Sequence, residues 1–253
     1  MKTDIWAHRG ASKKAPENTM KAFEMAIAQG ADGIELDVMR SKDQALVVTH
    51  DESCKRLTRK KGMVNQMTLN QLRQLDFAAR HAEPSKQQIP LLEEVLALLK
   101  PTSLKLNIEL KNSLYFDPGL ELAVIELVLE HGMQDRVILS SFNHYSMQAA
   151  AKICAERAPA LRCAILYSSE IVDVWEYAKK IGVQAVHPLY AGLQIPGTIE
   201  NCHEAGLAVN AWTINSPEHI AMALQAGVDA IITDVPDTAL AVRRKLELAK
   251  SAQ

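Results

Sequence analysis

His8 and His50 each end a short apolar run, and histidine is the side chain best suited to moving protons near neutral pH. Carboxylates hold the same kind of position. Glu35-Leu36-Asp37 closes one apolar run, and strand alternation puts Glu35 and Asp37 on one face. Glu109 closes another, with Lys111 on its face two residues later. Side-by-side carboxylates repel. They stay ionised cheaply only with a cation between them or strong donors around them. If these runs are neighbouring strands, three carboxylates converge at one mouth. Such an oxygen set suits Mg²⁺ or Ca²⁺ and not zinc. Arg9, beside His8, carries a permanent charge on a fork that matches phosphate oxygens. One strand-end acid is commonly a solvated rim charge, and one histidine is commonly structural. Together, two proton carriers, an oxygen-ligated cation and the Arg9–Lys111 pair describe phosphoester chemistry. The other histidines are less telling: His81 falls in a polar stretch, and His131, His144, His203 and His219 fall in or at the ends of helical segments. His187-Pro188 ends a strand and could line the mouth.

The elements that must position these groups alternate along the chain. Apolar runs at Ile5–His8, Gly33–Val38, Leu104–Leu110, Arg136–Ser140, Arg162–Leu166, Val183–His187, Leu207–Trp212 and Ala230–Thr233 read as strands. Several are almost wholly apolar, as strands buried on both faces of a parallel sheet are. Ala45–Thr49 reads as an extra strand pairing locally. Helix-period segments lie between, among them Asn18–Gln29, where Asn18 is a candidate cap, and Pro217–Gln225, ended by Gly227. Eight strands, each followed by a helix, over 253 residues predict a (β/α)₈ barrel. The rival, an open doubly wound sheet, normally carries a glycine-rich phosphate loop after its first strand, and here that strand ends in His8-Arg9-Gly10. An internal echo supports the barrel. Residues 25–38 (MAIAQGADGIELDV) and 222–235 (MALQAGVDAIITDV) share a helix end, a Gly cap and a strand ending in Asp. The whole chain, 1–253, then reads as one domain, with 52–88 as a polar, initially basic insertion.

Composition narrows the classes further. Lys plus Arg is 28 against 30 Asp plus Glu, a net charge of -2, so no basic excess drives general binding to nucleic acid or anionic membranes. A local basic patch stays open, as Lys55, Arg56, Arg59, Lys60 and Lys61 suggest. The four cysteines show no C-x-x-C spacing and read as buried, reduced thiols. No apolar run has the length of a membrane span, and no signal-peptide pattern opens the chain. The expectation is a cytoplasmic protein with a small-molecule substrate, no nucleic acid and no stable membrane association. Oligomeric state is left open.

The ordered motifs His8-Arg9-Gly10, Pro16-Glu17-Asn18-Thr19, Glu35-Leu36-Asp37, His50-Asp51, Glu109-Leu110-Lys111, Ser140-Ser141-Phe142, Trp212-Thr213-Ile214-Asn215 and Thr233-Asp234-Val235-Pro236 cover nearly the whole chain. In them the sequence resembles the glycerophosphodiester phosphodiesterase family, most of all its short bacterial cytoplasmic form. The resemblance implies a (β/α)₈ barrel with a small insertion after the His-Asp motif. It implies hydrolysis of glycerophosphodiesters to glycerol 3-phosphate and an alcohol. At the matching positions His8 and His50 are the acid/base pair, and Glu35, Asp37 and Glu109 hold the divalent cation. Arg9 and Lys111 contact phosphate, and Trp212 faces the substrate. Phospholipase-type barrels acting on lysolipids or phosphoinositides are the alternative. They would need an apolar rim, whereas the loops Ser41–Gln44 and Arg56–Gly62 are polar.

Overall fold

The computed structural model describes residues 2–81 and 86–251. β1 (Asp4–His8) leads through α1 (Met20–Gln29) to β2 (Gly33–Arg40). The short β3 (Leu46–Val48) folds back antiparallel on β2, with Val38 opposite Val48. An excursion follows, made of α2 (Lys55–Thr58), a 3₁₀ turn at Val64–Gln66 and α3 (Leu69–Arg73), before α4 (Leu92–Leu99). Strand and helix then alternate: β4 (Lys105–Leu110), α5 (Leu120–Glu130), β5 (Val137–Ser141), α6 (His144–Arg157), β6 (Arg162–Tyr167) and α7 (Val174–Ile181). They continue through β7 (Ala185–Pro188), α8 (Thr198–Glu204), β8 (Ala208–Ala211), α9 (Pro217–Ala226), β9 (Ala230–Thr233) and α10 (Pro236–Ser251).

β1 pairs in parallel with both β2 and β9, which closes the eight parallel strands into a barrel with β3 outside it. Alternation sorts the side chains. Ile5, Ile34, Leu36, Ile108, Leu139 and Ile165 point outward into one large core under the helices. Trp6, Ile138, Ala164, Ala185, Ala230 and Ile232 fill the barrel. Both faces are therefore dry, which is why the strands read as unbroken apolar runs. The excursion adds a satellite core of Met39, Val47, Cys54, Val64, Leu72, Phe77 and Ile89. Within the 52–88 insertion, residues 82–85 lie outside the described residues. All four cysteines are free and buried.

The internal echo is a structural repeat. Gly30 and Gly227 end their helices in the same left-handed conformation, with φ of 79° and 80°. Two residues on, Asp32 accepts the Ile5 amide of β1 at 2.9 Å, and Asp229 accepts the Val209 amide of β8 at 2.8 Å. Each aspartate thus stitches the incoming strand to its neighbour. Arg243 of α10 adds a charge-assisted bond to Asp32 at 2.5 Å and a bond to the Thr3 carbonyl at 2.8 Å.

One turn positions the first catalytic candidate. Gly10 has φ +81°, and a Cβ there would lie 2.7 Å from the Ala22 backbone of α1. The turn after His8 therefore needs glycine both for its conformation and for the close approach of α1. Gly10→Ala is expected to destabilise the protein by roughly 2–5 kcal/mol, combining left-handed strain with overpacking. A denaturant melt that shows no loss would refute this.

Candidate active site

His8, Arg9, Glu35, Asp37, His50, Glu109 and Lys111 meet at the C-terminal mouth of the barrel. Register accounts for it. Asp37 on β2 lies opposite Glu109 on β4, and Glu35 lies opposite His8 on β1. One carboxylate oxygen from each of Glu35, Asp37 and Glu109 lies within 4.8 Å of the other two, and all three residues are buried.

Their immediate partners divide the work of holding charge. The Asn18 amide donates to Asp37 Oδ2 at 2.8 Å, and Arg9 Nε lies 3.3 Å from the same oxygen. Burial would raise the Asp37 pKa, but Arg9, Lys111 and His50 with the Asn18 hydrogen bond hold it down at about 2. Glu35 accepts the Arg9 backbone amide at 3.0 Å. Burial, then the charges of Asp37 and Glu109, still push its pKa well above the carboxylate range. Glu109 accepts from Lys111 Nζ at 2.8 Å, yet burial and Asp37 press its pKa up to about 7. Asp37 Oδ1 is buried with no hydrogen-bond partner, and Lys111 Nζ lies 3.8 Å from it. An unbonded carboxylate oxygen, two neighbours pushed toward neutrality and an all-oxygen donor set fit a hard divalent cation.

The histidines flank this cluster. His8 Nδ1 lies 2.6 Å from Asp234 Oδ1, and its Nε2 lies 3.9 Å from Glu35. His50 Nδ1 lies 2.7 Å from Asp51 Oδ1. An ionised carboxylate only accepts, so each Nδ1 carries a proton and each Nε2 is the nitrogen left to exchange one with a substrate. Burial lowers the His50 pKa, with Arg9 and Lys111 acting the same way and Asp37 opposing them. The Asp234 carboxyl would be raised by burial, but His8, Asn215 and Ser12 hold it at about 2. Arg56 of α2 reaches back to bond Asp51 Oδ2 at 2.5 Å and both Glu17 oxygens at 2.7 Å, while Glu17 also accepts from Arg9 at 2.9 Å. The insertion is thereby tied to both histidine-bearing loops. Trp212 stands on the opposite wall, its indole N–H bonded to the His187 carbonyl at 2.8 Å and its ring edge-on to Phe142 at 5.4 Å.

Two side chains sit elsewhere than the sequence suggests. Thr19, not Asn18, caps α1, its hydroxyl accepting from the Ala22 amide; Asn18 is turned over at φ 54° and spends its side chain on Asp37. His187 does not line the mouth. It is fully buried inside the barrel against Asn210, and burial drives its pKa down to about 3.

Residues 8–238 match the glycerophosphoryl diester phosphodiesterase family. The chain belongs to this family. A glycerophosphodiester phosphodiesterase of Caldanaerobacter subterraneus subsp. tengcongensis is 40% identical over 246 residues, covering 97% of this chain and 99% of that one. One from Bacillus altitudinis is 40% identical over 248 residues, covering 97% and 100%. Among solved structures, an Oleispira antarctica phosphodiesterase in complex with the product sn-glycerol-3-phosphate superposes with a TM-score of 0.82 at 28% identity, covering 95% of this chain and 96% of that one. This phosphodiesterase is therefore a phosphoric diester hydrolase on a (β/α)₈ barrel, as the motifs imply. The bonds that Asp234 and Asp51 make to the histidines, and the Glu17–Arg56 pair behind them, are contacts the sequence alone does not single out. The echo held a signal for the first: Asp234 occupies the place that Asp37 occupies in the earlier copy.

Proposed function

We propose that the chain hydrolyses glycerophosphodiesters to glycerol 3-phosphate and an alcohol, with His8 and His50 as proton carriers and Glu35, Asp37 and Glu109 as ligands of one divalent cation, Mg²⁺ or Ca²⁺. The observation that carries this reading is two histidines, each fixed through Nδ1 by its own aspartate, on either side of three clustered carboxylates. The product bound to the Oleispira antarctica relative supports the glycerol 3-phosphate half.

A bound divalent cation supplies neutralisation of a phosphate oxygen and of the charge that grows on it in the transition state. The remaining steps belong to side chains. Lys111 Nζ uses one of its protons on Glu109, which leaves others to point at a phosphate oxygen. Arg9 bonds Glu17 through Nη1, and its Nη2 makes no hydrogen bond among the described residues, so that edge of the fork is available to phosphate. One Nε2 takes the proton of the attacking hydroxyl, from water or from the glycerol, and the other histidine gives a proton to the departing alcohol. The Trp212–Phe142 wall lies against the non-reacting part of the substrate. Residues 1–253 then form one catalytic domain, and 52–88 is an insertion that steadies the His50 loop through Arg56.

The positioning role of Asp234 has a direct consequence. Asp234→Asn permits the wrong tautomer at His8, and turnover is expected to fall by roughly 10²–10⁴-fold with the melting temperature little changed. Full turnover in that variant would remove the assignment. The reading as a whole is tested on a panel of glycerophosphocholine, glycerophosphoethanolamine, glycerophosphoglycerol and lysophosphatidylcholine. Release of glycerol 3-phosphate from the first three is expected. Choline release from the lysolipid alone, without turnover of the others, would favour the phospholipase-type alternative.

A further inference from the structure

Nine large apolar side chains stand exposed among the described residues, and only Met222 and Leu248 belong to the outer faces of α9 and α10. The other seven rise from the loops and first turns after β4, β5, β6 and β7, which form one side of the mouth. Leu114, Phe116, Tyr145 and Val172 are 73%, 74%, 85% and 88% exposed. This exposure is built rather than slack. Asn112, buried at the start of the first loop, is bonded to Glu121, Ser146 and Ser141, and Asp117 at its end is held by Arg40 at 3.2 Å. The segment between them is fixed at both ends with Leu114, Tyr115 and Phe116 turned out to water.

Across the mouth the insertion presents charge. Its two legs are joined by backbone bonds from Cys54 to Gly62 and from Val64 to Glu52. Its tip therefore carries Lys55, Arg59, Lys60 and Lys61, all exposed and none ion-paired among the described residues. Glu52 and Asn65 at the base of the legs face Tyr115 and Phe116 across one cleft of about 160 Å³ that also reaches Lys111. Basic tip and apolar loop thus flank the same entrance.

We propose that this mouth docks reversibly on an anionic lipid bilayer, the apolar loops entering the interface and the basic tip lying on the charged headgroups. An apolar patch beside unpaired cations is the surface that binds such membranes, and each cation near an anionic surface strengthens binding severalfold. A second copy of the chain or a protein partner seated here would cover the entrance, whereas the exposed apolar side chains and the unpaired cations together complement the apolar interior and the negative headgroups of a bilayer. This docking is peripheral: no helix among the described residues is long and apolar enough to cross a membrane.

Sedimentation with vesicles tests it without reference to turnover, so its failure is separable from failure of the proposed activity. The full-length protein is expected to partition onto vesicles of equal parts phosphatidylcholine and phosphatidylglycerol, and weakly onto phosphatidylcholine alone. Leu114→Ser with Phe116→Ser, and separately Lys60→Glu with Lys61→Glu, should each lower the partition coefficient about tenfold or more with unchanged melting temperature. Met222→Ser, a change at an exposed apolar side chain away from the mouth, should leave it unaltered. Three results would overturn the proposal. These are a wild type that stays in solution at low salt, full binding by both double variants, or a dimer in lipid-free sedimentation velocity that Leu114→Ser with Phe116→Ser dissolves.

Discussion

Alanine at His8 or at His50 is expected to lower kcat on a glycerophosphodiester by roughly 10²–10⁴-fold, the contribution of one positioned proton carrier. Neither imidazole is a packing element. Both are partly exposed at the mouth, and each spends Nδ1 on an aspartate that has other partners: Asn215 and Ser12 for Asp234, Arg56 for Asp51. Loss of a ring should therefore leave the stability within about 1 kcal/mol of wild type. The double variant should lose much less than the product of the single losses, because acid and base act on one transition state. Stopped assays of each variant beside its thermal melt separate the effects. Near-normal turnover in either single variant would end that histidine's role.

The second large effect is at the carboxylates. Asp37→Asn removes the one proposed ligand held firmly ionised and is expected to lower turnover by at least about 10²-fold, with a matching loss of cation affinity. The cluster also fixes a pH dependence. Glu109 in the cation-free protein holds its proton up to about 7, and Glu35 is displaced in the same direction. A cation must displace those protons, so its apparent affinity should climb with pH and level off once both groups are ionised. Stability of the cation-free fold runs the other way. A carboxyl whose folded pKa lies above its unfolded value binds more protons when folded, so stability declines as pH rises from about 4.3 towards 7. Glu109→Gln should flatten that decline by an amount of order 1–3 kcal/mol. Denaturant midpoints across the range, with chelator present, would contradict the cluster's electrostatics if wild type and variant ran parallel.

How much of this was legible in the chain follows from what periodicity encodes. Strands buried on both faces announce themselves as apolar runs, so the barrel order and the convergence of Glu35, Asp37 and Glu109 could be read once β2 and β4 were taken as neighbours. Contacts between residues far apart in sequence could not. Nothing local says that Asp234 lies 2.6 Å from His8, 226 residues away, or that Arg56 on an exposed helix turns back to Glu17. Asn18 misled for a related reason. Its type suits a helix cap, but Thr19 beside it suits one equally, and only the buried Asp37 decides which residue turns inward. The apolar loop at 112–117 carries no local sign of exposure: Leu114, Tyr115 and Phe116 resemble core residues until the anchors at Asn112 and Asp117 hold them outside.

The central claim, that three carboxylates and two histidines act around one divalent cation on a glycerophosphodiester, is tested most directly by turnover after exhaustive chelation. Glycerol 3-phosphate release from glycerophosphocholine should fall by at least about 10²-fold when the cation is stripped, and return on titration with Mg²⁺ or Ca²⁺ in wild type but not in Asp37→Asn. Undiminished release from the stripped protein would contradict it.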